Sequence, residues 1–405
     1  MNNVVITGMG IISSIGFSVE QFWQSLIQGH IAMVEPPEPS VPFTSPIPTD
    51  FDPSHWLDSN AIRTTNRLTQ FAICAAMDAV AMGGAPTLPS RRTAVILGST
   101  MGSVPSLVET QSALEREGAR AVPGRLMSQV IPNIPAAHIA MRWRLHGPLL
   151  TISTACASSL DAIGLAAKMI ERGEVDYAIA GGVDGLLTPV VAHSLMRARA
   201  ASQAARPEMA SRPFDRYRTG FVMGEGAGIV VLERRGSAER RGQPILARVV
   251  GYGSIADAFH VTSPDPSGKW EALAMQLALE DAGIIPAEID AVIAHGTATP
   301  VGDSAEIQAI NHIFAQPGSP RVTSIKGHIG HSMAAAGVMA IIAGTNALRH
   351  GQLPPTMGTT EVDPAAQFEL ITTEARSFPI RQLQANAFGF GGQNASLILS
   401  QGDDP

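Results

Sequence analysis

The stretch Leu149-Leu150-Thr151-Ile152-Ser153-Thr154-Ala155-Cys156-Ala157-Ser158-Ser159-Leu160 runs from an apolar segment into a row of small residues, with a cysteine at the junction. The pattern predicts a strand over residues 149–153 and a helix opening at Cys156. The same order recurs later, where an apolar run at residues 321–325 leads into Lys326-Gly327-His328-Ile329-Gly330-His331 and a small-residue helix ending near Leu348. A second pair of echoes lies upstream. Asp78-Ala79-Val80 closes a helix that leads into a strand at residues 93–97 and the turn Gly98-Ser99-Thr100. Glu280-Asp281-Ala282-Gly283 leads past Pro286 into a strand at residues 291–294 and the turn Gly296-Thr297-Ala298. Two related α/β halves, residues 1–245 and 246–405, account for both pairs and meet around Arg241-Gly242-Gln243-Pro244.

Further buried strands are expected at residues 4–7, 177–180 and 229–232, alternating with helices as in an α/β protein. The 405 residues carry 28 Lys plus Arg against 35 Asp plus Glu, a net charge of −7 that excludes a general nucleic-acid or membrane-surface binder. Two cysteines, Cys74 and Cys156, are too few for a disulfide framework or a cysteine-based zinc site and fit a reducing cytoplasm. No signal peptide is read at the N-terminus. The longest smooth apolar stretch, residues 333–344, is too short to cross a bilayer and reads as a buried helix.

Cys156 has two readings. At a helix start its thiol would gain from the helix dipole, which lowers its pKa and aims backbone N–H groups at a bound oxyanion; a buried structural cysteine is the alternative. Cys74, inside an apolar helix, reads as structural. His295 ends a buried strand, where α/β sheets place their sites, and Thr297 and Thr299 follow with hydroxyls for a polar ligand. Asp303 and Glu306 at the next helix start would cap N–H groups or pin a cation. Lys326 can orient or bias a histidine, and a neutral His331 can donate to an enolate oxygen. His328 reads as packing away from the site. No third ligand at metal-site spacing accompanies these histidines, so no metal is expected. The glycine-rich run Asn386-Ala387-Phe388-Gly389-Phe390-Gly391-Gly392 is either a plain hairpin turn or a turn that brings N–H groups and an aromatic ring to a ligand. Gly8-Met9-Gly10 starts like a dinucleotide fingerprint, but Ser13 stands where its third glycine belongs.

Together, the runs around Cys156, at His295 to Pro300, at Lys326 to His331 and at Asn386 to Gly392 resemble the β-ketoacyl-[acyl-carrier-protein] synthases, a resemblance that spans the chain from Val4 to Leu397. It implies the thiolase fold, an α/β architecture of two related halves stacked as five αβαβα layers. It implies a ping-pong decarboxylative condensation of a Cys156-bound acyl chain with malonyl carrier protein, in type II polyketide or fatty-acid biosynthesis. In it Cys156 is the nucleophile, His295 and His331 the decarboxylation pair, and Lys326 their electrostatic support. The N–H groups of Cys156 and Phe390 form the oxyanion hole, Phe390 also acting as a gate. Thr297 and Thr299 contact pantetheine, and Met101 and Leu195 line the acyl pocket. No cofactor is implied beyond the phosphopantetheine arm of acyl carrier protein. The partners implied are that carrier and either a second copy or a homologous chain-length-factor subunit. A noncatalytic chain-length-factor role is the alternative, against which Cys156 argues. Residues 63–67 and 197–218, rich in arginine, are the candidate docking patches for an acidic carrier.

Overall fold

Each apolar run expected to be a strand is one in the computed structural model, which describes residues 4–35, 41–84, 88–315 and 319–402. Ten of the strands are β1 (Val4–Ile12), β2 (Thr93–Gly98), β3 (Leu149–Ile152), β4 (Tyr177–Asp184), β5 (Gly226–Arg234), β6 (Ala247–Ala256), β7 (Ala291–Ile293), β8 (Arg321–Thr323), β9 (Gln382–Gly389) and β10 (Gln393–Gln401). They connect in the order β8-β7-β9-β10-β6-β1-β5-β4-β2-β3. That order is a palindrome of roles. Reading outward from the centre, the first, fifth, fourth, second and third strands of each half follow one another. The pairings match too: antiparallel for β1/β5 and β5/β4 as for β6/β10 and β10/β9, then parallel for β4/β2/β3 as for β9/β7/β8. The halves touch through a short antiparallel contact, Val4 to Ile6 against Ala247 to Val249.

Six helices complete the layers: α1 (Arg67–Met82), α2 (Ser158–Glu171), α3 (Lys269–Ala282), α4 (Pro300–Ile313), α5 (Ala336–His350) and the helix Ile134–Trp143, which packs beside α1. Helices α2 and α5 lie between the halves, where Leu160, Ile163, Val338 and Ile341 share one core with Val230, Leu232, Leu383 and Leu397. On the outer faces α1 covers the first half, and α3 and α4 cover the second. The result is the expected αβαβα stack. Helix α5 is buried from Ala336 to Leu348, as expected of the long apolar stretch.

Close backbone contact explains the glycines of the central strands. A Cβ on Gly8 or Gly10 would stand 2.0 Å from the carbonyl oxygens of Ala79 and Ala75 on α1, and one on Gly251 or Gly253 would stand 2.2 and 2.3 Å from those of Ala278 and Ala274 on α3. The Gly8/Gly10 pair therefore seats a helix on a strand, and the second half repeats the device; no phosphate cradle is needed to account for it.

The repeat extends to the inner helices. Each is entered through a three-residue 3₁₀ turn, Ala155–Ala157 before α2 and Met333–Ala335 before α5. Ala155 and Met333 both have φ of 48°, a left-handed conformation costly for residues with a Cβ. By this register Ala334 is the counterpart of Cys156. The extra helical turn Lys326–Ile329 sits between β8 and that point, so Lys326 and His331 belong to an insertion that the cysteine's own turn lacks.

Candidate active site

The strained turn at Ala155 projects Cys156 at the N-terminal end of α2, and the insertion after β8 swings His331 toward it. His331 Nε2 lies 2.9 Å from Cys156 Sγ. The imidazole of His295, just beyond β7, meets that of His331 edge to face with ring centroids 5.2 Å apart. Phe388 and Phe221 pack against the outer sides of the two rings, at 5.9 and 5.3 Å. The nucleophile candidate thus comes from the first half, and both imidazoles from the second.

The loop carrying His295 is held by the two carboxylates at the start of α4. Glu306 accepts the N–H groups of His295 and Gly296 at 2.8 and 2.7 Å. Asp303 accepts those of Phe214 and Ala298 at 2.7 and 3.0 Å, and Arg218 stands 3.9 Å away. Both capping and cation-pinning roles are therefore present. Thr299 caps α4 through the N–H of Gly302 at 3.2 Å, and its hydroxyl lies 3.0 Å from that of Thr297. Buried Lys326 donates its ammonium to the carbonyl of His295.

Electrostatics set the resting protonation state. Burial pushes both imidazoles well below the usual histidine range, and the nearby Lys326 charge pushes the same way, so both rings are neutral at neutral pH. Burial lowers Lys326 to about 8, against the pull of Glu306, Cys156 and Asp303. Cys156 keeps some solvent contact but lies deep in the protein, and burial pushes its thiol up to about 12. Lys326 and the N–H groups of Phe390 and Cys156 act in the opposite direction. The thiolate expected from the helix end alone is therefore not the resting form. A helix end supplies about 0.3–1 kcal/mol and at most about 2, whereas a rise of this size corresponds to roughly 4 kcal/mol.

The glycine-rich run is a hairpin turn and more. Gly389 pairs with Gln393 across the β9/β10 hairpin, and a Cβ on Gly389 would stand 3.1 Å from the Cys156 nitrogen. The hairpin tip is thus pressed onto the cysteine turn, with Phe390 42% exposed beside it. Leu195 packs in an apolar cluster with Val104, Leu186, Phe221 and Met333, next to His331 and the second strained turn. Met101, 58% exposed, stands outside that cluster. His328 faces away, its ring nitrogens 2.8 and 2.7 Å from the carbonyls of His30 and Pro355.

Two further groups were not singled out in the sequence, Asp184 and Asp161, and a third, Arg218, is read there only as part of a candidate docking patch. Asp184, at the end of β4, accepts the N–H of Ala334 at 2.9 Å and the hydroxyl of Thr100 at 2.7 Å. Its carboxylate sits at the entrance to α5, the position equivalent to the one Cys156 faces at α2. Asp161, in the first turn of α2, accepts the Thr154 hydroxyl at 2.5 Å. Arg218 reaches Asp363 at 2.7 Å, Ser304 at 2.6 Å and the carbonyls of Asp215, Thr299 and Pro300. Of the arginines in residues 197–218, Arg212 and Arg218 are buried, Arg206 pairs with Glu208 and Arg216 with Glu361, which leaves Arg197 and Arg199 as exposed candidates for a docking patch.

Residues 1–238 match the family model described as Beta-ketoacyl synthase, N-terminal domain, and residues 246–360 match Beta-ketoacyl synthase, C-terminal domain. The chain is 36% identical to the 3-oxoacyl-[acyl-carrier-protein] synthase 2 of Coxiella burnetii, covering 98% of each. Among solved structures it superposes on the ishigamide ketosynthase/chain length factor with a TM-score of 0.91 at 33% identity, covering 98% of each chain. It also superposes on a type II PKS ketosynthase in complex with its acyl-carrier protein, with a TM-score of 0.90 at 25% identity, covering 99% of each.

Proposed function

Since this chain belongs to the β-ketoacyl synthase family of condensing acyltransferases, we propose that Cys156, His295, Lys326 and His331 catalyse a ping-pong decarboxylative condensation on carrier-bound substrates. The observation that carries the assignment is the 2.9 Å approach of His331 Nε2 to Cys156 Sγ with a second neutral imidazole alongside. With its proton on Nε2, His331 donates to the sulfur as thiolate character develops. Sγ attacks the acyl thioester carbonyl of acyl carrier protein, whose oxyanion takes the N–H groups of Cys156 and Phe390. The thioester C–S bond breaks, and the cysteine proton leaves with the pantetheine thiol. The acyl chain then lies against Leu195, with Met101 at the outer end of the pocket.

Malonyl carrier protein follows, its pantetheine beside Thr297 and Thr299. Its C–C bond to the carboxylate breaks and carbon dioxide leaves. Two neutral imidazoles, His295 and His331, stabilise the enolate oxygen by donation. The carbanion attacks the acyl carbon, the bond to Sγ breaks to leave a thiolate that takes a proton from solvent, and a 3-oxoacyl carrier protein is released. Lys326 acts through His295, by holding its carbonyl, and Asp303 and Glu306 hold the loop. No cofactor beyond the carrier's arm enters this scheme. A complete Cys/His/His/Lys set disfavours a noncatalytic chain-length-factor role.

The same reading divides the chain at residues 245/246. Edge strand β3 exposes Leu149 and Leu150, and Met127, Ile131 and Met141 are exposed as well. A second chain of this fold, identical or homologous, suits such an apolar edge. Acyl carrier protein is assigned to a surface carrying exposed arginines, with Arg63 and the pair Arg197 and Arg199 as the candidates. Two free cysteines suit the cytoplasm, and among the described residues no helix is long and apolar enough to cross a membrane.

Intact-mass analysis after incubation with acyl carrier protein tests the scheme. One acyl group is expected on the wild type and none on Cys156→Ala. His331→Ala is expected to accept the acyl group more slowly and to lose decarboxylation of malonyl carrier protein. An acylated Cys156→Ala protein, or wild-type condensation by His331→Ala, refutes the residue roles.

A further inference from the structure

We propose that Cys156, His295 and His331 also form an inhibitory binding site for a thiophilic divalent cation, with zinc the best-matched ion. Along the sequence the histidines lack a third ligand, since their spacing includes no thiolate or carboxylate. Folding supplies one from the other half. One ligand atom from each of the three residues falls within 4.8 Å of the other two. One sulfur and two imidazole nitrogens, with a fourth position open, is a donor set of tetrahedral zinc. With zinc bonds of about 2.3 Å to sulfur and about 2.0–2.1 Å to nitrogen, ligand atoms sit roughly 3.4–3.6 Å apart. The Sγ to Nε2 distance of 2.9 Å therefore needs to open by only about 0.6 Å.

A second observation points to a ligand. Both imidazoles are more than nine-tenths buried, at 7% and 2% exposure, yet Nδ1 of each has no hydrogen-bond partner among the described residues. Such unpartnered buried nitrogens are unusual, and His331 meets the sulfur through Nε2 with no competing hydrogen bond on the rest of its ring. The charged groups around the site are mixed, with Lys326 opposing a cation and Asp184, Asp303 and Glu306 favouring it. On binding, the Cys156 S–H bond breaks, a sulfur–metal bond forms, the proton goes to solvent, and nothing is oxidised or reduced. The sulfur lone pair so engaged is unavailable to an acyl thioester, which makes the ion an inhibitor of the first half-reaction.

The test uses the full-length protein stripped with a chelator, and needs no substrate, so it stands or falls apart from the condensation scheme. Cobalt(II) is titrated in as a spectroscopic probe and zinc(II) as competitor, and alkylation of Cys156 by iodoacetamide is followed by mass. Expected are a thiolate-to-cobalt charge-transfer band saturating at one ion per chain, its displacement by zinc, and protection of Cys156 from alkylation. Cys74→Ala should keep all three. Cys156→Ser should lose the band, and His295→Ala and His331→Ala should each weaken binding by at least about tenfold, the loss seen when only an outer partner of a ligand is removed. A band that survives Cys156→Ser, no binding at one ion per chain, or unchanged alkylation of Cys156 at saturating zinc overturns the proposal.

Discussion

Tyr252, on β6 of the second half, donates its hydroxyl to Asp161 Oδ1 on α2 of the first half at 2.7 Å. The other carboxylate oxygen takes the Thr154 hydroxyl, so one chain of hydrogen bonds runs from the distant sheet to the residue two before Cys156. The ring also presses on α2, where a Cβ added to Gly164 would stand 2.3 Å from it. Tyr252→Phe leaves a buried carboxylate oxygen short of a donor, at a cost of about 1–3 kcal/mol. Urea unfolding should show that loss, and acylation of Cys156 should slow while carrier affinity holds. Gly164→Ala should act in the same direction by displacing the ring.

Asp184 supplies a pH dependence. Burial raises its carboxyl to about 6 despite the donated N–H of Ala334 and hydroxyl of Thr100. The folded state therefore holds this proton more tightly than the unfolded chain, whose value is near 3.8. The stabilising contribution is full below about pH 4, is lost as pH rises through about 6, and totals on the order of 3 kcal/mol. The difference in unfolding free energy between wild type and Asp184→Asn should shift against the wild type across that window. A difference independent of pH between 4 and 6 would count against the assignment.

Arg218 joins three segments around the loop of Thr297 and Thr299. Replacing it with alanine removes the cation 3.9 Å from buried Asp303 and its hydrogen bonds to part-buried Asp363 and exposed Ser304, a change expected to cost about 1–3 kcal/mol. Arg218→Lys offers a point charge where the structure uses a fork of donors, and should recover only part of the loss. Thermal unfolding of the two variants ranks them, and equal stability of wild type and Arg218→Ala would contradict the role.

The two cysteines should separate cleanly. Cys74 is fully buried in α1, where burial and the Asp78 charge push its thiol up to about 12 against Arg142, whereas Cys156 keeps solvent contact. Iodoacetamide should modify Cys156 in the native protein and reach Cys74 only after denaturation, as peptide mass mapping would reveal. Cys74→Ala should cost on the order of 1 kcal/mol and leave acyl acceptance unchanged.

Much of this was legible in the chain because strands buried on both faces are written as continuous apolar runs. Strand β6 was not, since Gly251, Gly253 and half-buried positions break its pattern. Cys156 was found from its junction between strand and helix, a local signal. The register of the second half was misjudged by a few residues, because the turn at Lys326–Ile329 is inserted there and leaves Ala334, not Lys326 or His331, as the counterpart of the cysteine. Phe221 and Phe388 beside the imidazoles, and Asp161 behind the turn of Cys156, depend on contacts between distant segments and leave no local mark. The raised thiol pKa escaped for the same reason, since a helix start is visible in sequence and depth of burial is not.

A duplicated protein begins with two identical workshops, and chance drift could have left a nucleophile in either. Asp184 makes that choice lasting. Its carboxylate already occupies the N–H of Ala334, so a cysteine arising there would face a negative neighbour and an oxyanion site already filled. The turn equivalent to that of Cys156 is thereby closed by Asp184, and a cysteine placed at Ala334 alone would not recreate the environment of Cys156.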